Sequence, residues 1–70
     1  MTKAEVEQIF EPNTFAPLLL TTKDGFALPV AKAGDALVGL RTIFVKHDGR
    51  VYQIPFHAID HVSEQGEHLG

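Results

Sequence analysis

The sequence predicts a mainly β fold, in which a short N-terminal helix precedes a five-stranded, bent, antiparallel small barrel. Three observations lead to this prediction: a helix-capping pattern near the N-terminus, two Asp-Gly turns between segments of alternating apolar residues, and a proline that interrupts the last apolar segments. A helix followed by short strands, with a one-turn bend before the last strand, closes most naturally into a barrel. An open meander with the helix on one face is the alternative architecture.

The helix is predicted over residues 3–10. Thr2 and Glu5 have the spacing of a capping box, in which a hydroxyl and a carboxylate each satisfy one amide at the start of a helix. The apolar face consists of Val6, Ile9 and Phe10, at positions i, i+3 and i+4. A helix of about two turns is unstable alone in water, so it is expected to lie on the sheet.

Five strands are predicted from the alternation of apolar and polar residues. They cover residues 15–23, 26–31, 37–46, 50–55 and 59–63. Asp24-Gly25 and Asp48-Gly49 supply hairpin turns, because these residues tolerate the positive φ of tight loops. The second strand is expected to turn Phe26, Leu28 and Val30 inward, and Pro29 within it predicts an edge or a bulge. The polar tail, residues 64–70, is expected to fray.

The bend is predicted at Pro55, which cannot donate a hydrogen bond to a sheet and must interrupt the ladder. Ile59 and Val62 restart an apolar pattern directly afterwards. The segment therefore indicates a strand, one tight turn and a further strand.

Size and composition restrict the class of protein. Seventy residues form one domain, residues 1–70, whose core is small and which contains no cysteine for disulfides or thiolate zinc sites. Self-association is therefore a favoured source of stability. The first ten residues carry acids and no continuous apolar run, which predicts a soluble, cytoplasmic protein with no membrane partner.

The charge disfavours nucleic acid as a partner. The formal net charge is −3, with nine acidic residues against six Lys and Arg that are scattered along the chain. Proteins that bind nucleic-acid backbones use clustered cations, and none are visible here.

An unpaired strand edge is the candidate interaction surface. A small open barrel exposes amides either on the strand around residues 41–46 or on the last strand, and pairing between protomers satisfies such edges. Ile43, Phe44 and Val45 are the candidate edge residues, with Phe44 on the face opposite the other two and therefore in the core or at an interface. A homo-oligomer, with or without a protein partner, is expected. The alternative is a monomer whose edges are shielded by Arg41, Lys46 and bulges.

The polar residues near the bend carry no catalytic or metal motif. His57 and His61 have the i, i+4 spacing of zinc ligands on a helix, but the proline and the strand pattern exclude a helix here. Asp24 and Asp48 are explained by hairpin chemistry, and Ser63 is the single serine. We therefore expect no enzyme activity, no metal and no cofactor.

Two resemblances add to this interpretation. The order Met1-Thr2, a short helix, Phe15-Ala16-Pro17-Leu18 leading to Asp24-Gly25, and later Gly49 to Val62, resembles small uncharacterised bacterial proteins common in planctomycete genomes. The resemblance covers most of the chain, and that family has no assigned activity to transfer.

His57-Ala58-Ile59 is similar to the His-Ala-Ile at the bend of the bacterial host-factor (Hfq-type) branch of Sm-like proteins. That resemblance implies a helix on a five-stranded bent barrel that forms rings and binds RNA. In that branch a Tyr-Lys pair precedes the His, whereas this chain has Pro55-Phe56, and Asp60 stands where a Ser is expected. His57, with Phe56 as a stacking ring, is the candidate nucleotide site.

Together these observations favour a non-enzymatic small barrel, Sm-like or SH3-like, that associates with copies of itself or with protein partners through strand edges. The alternative is a ring-forming Sm-like protein that binds RNA at Phe56 and His57.

Overall fold

The computed structural model describes residues 1–64 and confirms a mainly β architecture with an N-terminal helix. The helix α1 spans Lys3–Ile9. Within the described residues the strands are β1 Leu18–Thr22, β2 Ala27–Val30, β3 Ala36–Val38, β4 Thr42–His47, β5 Arg50–Pro55 and β6 Ile59–Glu64. The 3-10 turns Ala33–Asp35 and Phe56–Ala58 precede β3 and β6.

The strands form two antiparallel three-stranded sheets. The first sheet has the order β2-β1-β6 and the second has the order β3-β4-β5. No ladder joins the two sheets within residues 1–64, so the barrel is not closed. β5 and β6 are edge strands of different sheets and are connected by a single 3-10 turn.

The predicted strand over residues 37–46 is corrected to two strands, which raises the number of strands from five to six. The chain reverses at Gly39-Leu40-Arg41, and β3 and β4 then pair as a hairpin. The Gly39 N–H donates to the Thr42 carbonyl at 2.8 Å and closes this reversal. The apolar run 37–40 extends into the turn, which is why alternation alone did not reveal the reversal.

The predicted capping box is present at the start of α1. The Thr2 Oγ1 accepts a hydrogen bond from the Glu5 N–H at 3.2 Å, and the Glu5 Oε1 accepts one from the Thr2 N–H at 2.8 Å. These hydrogen bonds lower the pKa of Glu5, with the Thr2 main-chain N–H as the largest cause. The helix buries Val6 completely and is followed by Phe10, which is 7% exposed.

The core lies between the two sheets and α1. Alternation along β1 is confirmed, since Leu18, Leu20 and Thr22 are buried while the residues between them are half-buried. The buried apolar residues are Val6, Phe10, Leu18, Leu20, Leu28, Val30, Ile43, Val45, Ile54, Phe56 and Ile59. The expectation for Phe26 is wrong, because its ring is 44% exposed and lies at the surface.

The second Asp-Gly turn forms as predicted. Asp48 and Gly49 both have positive φ, at 56° and 77°, and they connect β4 to β5 as a two-residue loop. Such loops match the twist of the strands they join. At the C-terminus, the predicted frayed tail begins at Glu64, which instead belongs to β6, and residues 65–70 lie outside the described residues.

Candidate functional site

A hollow of the described chain runs beside the free side of β5, and we call it the β5 groove. Its volume is about 610 Å³, which is within the usual range for binding sites. The lining residues are Thr22, Lys23, Asp24, Phe26, Tyr52, Gln53, Ile54, Pro55, His57 and Ala58. The groove is therefore bounded by the tip of the β1–β2 hairpin, by β5 and by the Phe56–Ala58 turn, where the two sheets come together without a ladder.

An aromatic pair, Phe26 and Tyr52, lines the β5 groove. The rings of Phe26 and Tyr52 have centroids 5.8 Å apart and are inclined at 33°. Phe26 comes from the hairpin of the first sheet and Tyr52 from β5 of the second, so their contact connects the two sheets. A tilted pair at this distance is a favourable aromatic arrangement that leaves ring surface accessible to a ligand.

Thr22 organises the hairpin tip that forms one wall of the groove. Its Oγ1 accepts a hydrogen bond from the Phe26 N–H at 3.1 Å and donates to the Asp24 carboxylate. The Thr22 N–H donates to the Phe26 carbonyl at 2.8 Å, and Gly25 adopts a φ of 91°. The Lys23 N–H then donates to the Ala58 carbonyl at 2.9 Å, which ties the tip to the 3-10 turn across the groove.

The Asp24 carboxylate makes this tip sensitive to acid. The Thr22 hydroxyl, followed by the Phe26 N–H, lowers the pKa of Asp24. A lowered folded-state pKa contributes stability above the unfolded-state value of about 3.9, and the contribution disappears as the pH falls through the folded-state value.

We expect Asp24→Ala to destabilise the protein at pH 7 more than at pH 2.5. Urea unfolding at the two pH values measures this, and an equal loss at both would contradict it.

The free side of β5 presents unpaired main-chain groups. His47 and Arg50 flank the two-residue loop and form a hydrogen-bonded pair, so alternate residues of β5 direct their amides toward β4. The main-chain groups of Val51 and Gln53 consequently point away from the sheet, and Gln53 also lines the groove. The prediction that Pro55 interrupts the ladder is wrong, because Pro55 is the last residue of β5 and lies opposite Thr42. Its missing N–H falls on the free side of β5, so the pairing with β4 is kept and the free edge loses a donor at its C-terminal end.

Of the remaining edges, those of β2 and β3 are less suited to pairing. In β2, Pro29 lies opposite Leu19 at a position whose amide would point outward, so the proline removes a donor from that edge. Pro29 is thus on an edge strand, as predicted, with no register shift between β1 and β2. β3 has three residues. β6 is six residues long and has a bulge opposite Thr21 and Thr22.

The structure places the predicted edge residues elsewhere. Ile43, Phe44 and Val45 belong to β4, which pairs with β3 on one side and with β5 on the other, so they are not at an edge. Ile43 and Val45 are completely buried. Phe44 is half-buried on the opposite face, which leaves the interface alternative open for this residue.

The two candidate nucleotide-binding residues, Phe56 and His57, differ in their exposure to solvent. His57 is exposed and lines the β5 groove. Phe56 is 7% exposed and belongs to the core, and its N–H donates to the Arg41 carbonyl at 2.9 Å. Its ring therefore has no free face on which a base could stack, and this part of the prediction is corrected.

Phe26, Tyr52 and Gln53 are site residues that sequence reasoning missed. An aromatic residue directly after an Asp-Gly turn is easily assigned to the core, and Phe26 was. Tyr52 lies 26 positions later, and only the pairing of the sheets brings the two rings together.

The histidines near the bend do not converge. His61 Nδ1 lies 2.7 Å from Asp60 Oδ2, and both side chains are more than half exposed. Among residues 1–64 there is no group of three or more His, Cys, Asp or Glu placed to hold a metal ion. Within the same residues, α1 falls far short of the length needed to cross a bilayer, and no other helix reaches it.

Comparison with protein-family models, with curated proteins and with solved structures yields no match to this chain.

Proposed function

We propose that this protein is a non-enzymatic interaction and assembly module of the Sm-like or SH3-like small-barrel type, which pairs through strand edges with copies of itself or with extended segments of protein partners. The observation that supports this most directly is the free β5 edge beside the β5 groove. An added strand would satisfy the outward main-chain groups of Val51 and Gln53. Its alternate side chains would contact Phe26 and Tyr52.

Charge supports pairing between copies. Arg50 begins β5, whereas Asp60 and Glu64 lie on β6, and all three side chains are exposed. Opposite charges on facing strands favour pairing, and like charges oppose it. Because the two edges are different surfaces, pairing β5 of one copy with β6 of the next would produce a head-to-tail assembly, which closes into a ring when the rotation permits.

A proline on the β5 edge tests this proposal. Gln53→Pro removes an outward N–H, so we expect the assembly to dissociate while the fold is retained. Ala27→Pro is the matched control, because Ala27 lies on the β2 edge that Pro29 already interrupts. Light scattering after size-exclusion chromatography gives the mass of each variant. The proposal is wrong if the parent is a monomer and no extended partner peptide protects the β5 amides from hydrogen exchange.

RNA binding is the second candidate, and one observation favours it. Lys23 and His57 lie on the rim of a groove that also holds two accessible aromatic rings, a combination that suits single-stranded bases. The net charge of −3 and the burial of Phe56 argue against it. Adding a short U-rich RNA to the same chromatography discriminates between the two: binding that weakens with salt and is lost in His57→Ala supports RNA, and no binding at low salt excludes it.

A further inference from the structure

The outward face of the second sheet carries an apolar stripe that the core does not use. Leu37 and Phe44 lie directly opposite each other on β3 and β4, and Val51 on β5 is the diagonal neighbour of Phe44. Leu37 is 68% exposed and Val51 is 69% exposed. Each strand of the sheet thus contributes one large apolar side chain to the stripe, on the side away from Ile43 and Val45.

The outward face of the first sheet is different. Its residues, identified from the same register, are Leu19, Thr21, Ala27, Pro29, His61 and Ser63. Five of these six are polar or lack a large aliphatic side chain, as expected for a sheet face in water. The apolar stripe is therefore a specific property of the second sheet.

Within residues 1–64, no element covers the Leu37 and Val51 side chains of the stripe. The helix α1 buries Val6 against the core, on the inner side of the sheets. The ring of Phe44 is held against Gly39, where a Cβ atom would lie 3.3 Å from the Phe44 Cε2. Beside the stripe is a hollow of about 220 Å³, lined by Leu37, Phe44 and Val51 together with Gly34, Asp35, Ala36 and Lys46.

The charges on this face balance, although the chain as a whole is acidic. Lys46 lies opposite Val51 on β4, and Asp35 lines the same hollow. Within residues 1–64 the ion pairs are Lys3 with Glu7 and Asp60 with His61, so Lys46 and Asp35 form no salt bridge in the described chain. Two copies of this face can therefore approach without net repulsion, and each Lys46 has an Asp35 of the other copy available.

We propose that this face is a two-fold interface between two copies of the chain, with the second sheets stacked face to face. The occupant is a second copy because the face is apolar along its centre and carries one cation and one anion, which makes it complementary to itself. Stacked sheets lie about 10 Å apart, and Leu37 of one copy would enter the hollow of the other. The proposal does not depend on pairing of the β5 edge.

The area limits the strength of this contact. A standard stable interface covers about 800 Å² on each partner. That is about one sixth of the 4765 Å² accessible surface of the chain. Three strands about 4.8 Å apart, with three, six and six residues, offer a smaller face than this. Interfaces below the standard size are typical of weak, transient association, so the dimer is expected to form reversibly at micromolar rather than nanomolar concentration.

Sedimentation equilibrium from about 5 to 500 µM tests the proposal. The parent should show a concentration-dependent dimer, and Leu37→Glu should weaken it at least tenfold, with circular dichroism confirming the fold. Leu40→Glu is the matched control, because Leu40 is 75% exposed but does not line the hollow. Lys46→Glu should also weaken the dimer, and adding Asp35→Lys should restore it.

Different variants test the pairing of the β5 edge and the face-to-face dimer, so either proposal can be contradicted without the other. Arg50→Glu changes a side chain on the other side of β5, so it should alter edge pairing and leave the face-to-face dimer intact. A parent that has no association sensitive to Leu37→Glu up to 500 µM would overturn the face interface, as would a dimer that Leu40→Glu weakens equally. A dimer lost in Arg50→Glu but retained in Leu37→Glu would assign association to the edge alone.

Discussion

Alanine in place of Leu20 is expected to lower the free energy of unfolding by about 3 kcal/mol, the largest stability effect that we predict. Leu20 is completely buried in the middle of β1, the central strand of the first sheet. It lies opposite Leu28 on β2 and Val62 on β6, so the substitution leaves a cavity that three strands must share. A domain of 70 residues has a total stability of only about 4–10 kcal/mol.

Urea unfolding followed by circular dichroism measures this loss as a lower midpoint with an unchanged slope. Leu40→Ala is the matched control, since the same atoms are removed from a side chain that is 75% exposed. Surface changes of this kind are usually within about 0.5 kcal/mol of neutral. Equal midpoints for the two variants would show that Leu20 is not central to the core.

Gly39→Ala is expected to destabilise the protein by about 2 kcal/mol, although it adds a single methyl group. A Cβ atom at this position would lie 2.8 Å from the Thr42 carbonyl oxygen and 3.3 Å from the Phe44 ring. The oxygen belongs to the main chain and accepts the Gly39 N–H, so it cannot move without opening the β3–β4 reversal. For a domain of this size, such a loss lowers Tm by roughly 10 °C.

Thermal unfolding compares this variant with Gly34→Ala. A Cβ atom at Gly34 would meet nothing within 4 Å, so that control should be neutral or slightly stabilising. If Gly39→Ala unfolded at the temperature of the control, the tight reversal between β3 and β4 would be contradicted. Comparing the two variants separates the steric effect of a Cβ atom at Gly39 from the general effect of replacing a glycine.

Interactions between near neighbours were predictable from the sequence because their physics is local. The capping box at Thr2 and Glu5 and the left-handed conformations at Asp48 and Gly49 depend on residues within one turn of each other. The alternation that buries Leu18 and Leu20 follows from the two-residue period of a strand. These features defined α1, the hairpins and most strand boundaries.

Features that depend on which strands pair were not predictable in this way. The apolar run around Gly39 conceals a reversal, and only the pairing of β3 with β4 makes β4 a central strand. That pairing places Ile43 and Val45 in the core rather than at an edge. The resulting second sheet has β5 as its free edge, a role that no local pattern indicated.

The sequence by itself determined a mainly β domain with a capped helix, Asp-Gly hairpins and a turn after Pro55, because each depends on local backbone chemistry and side-chain period. The tertiary structure alone decided that Phe56 points into the core, that Phe26 meets Tyr52, and that Leu37, Phe44 and Val51 share one exposed face. The physical reason is the same for all three: burial and contact depend on the packing of strands that are distant in the chain, and the spacing of residues carries no record of that packing.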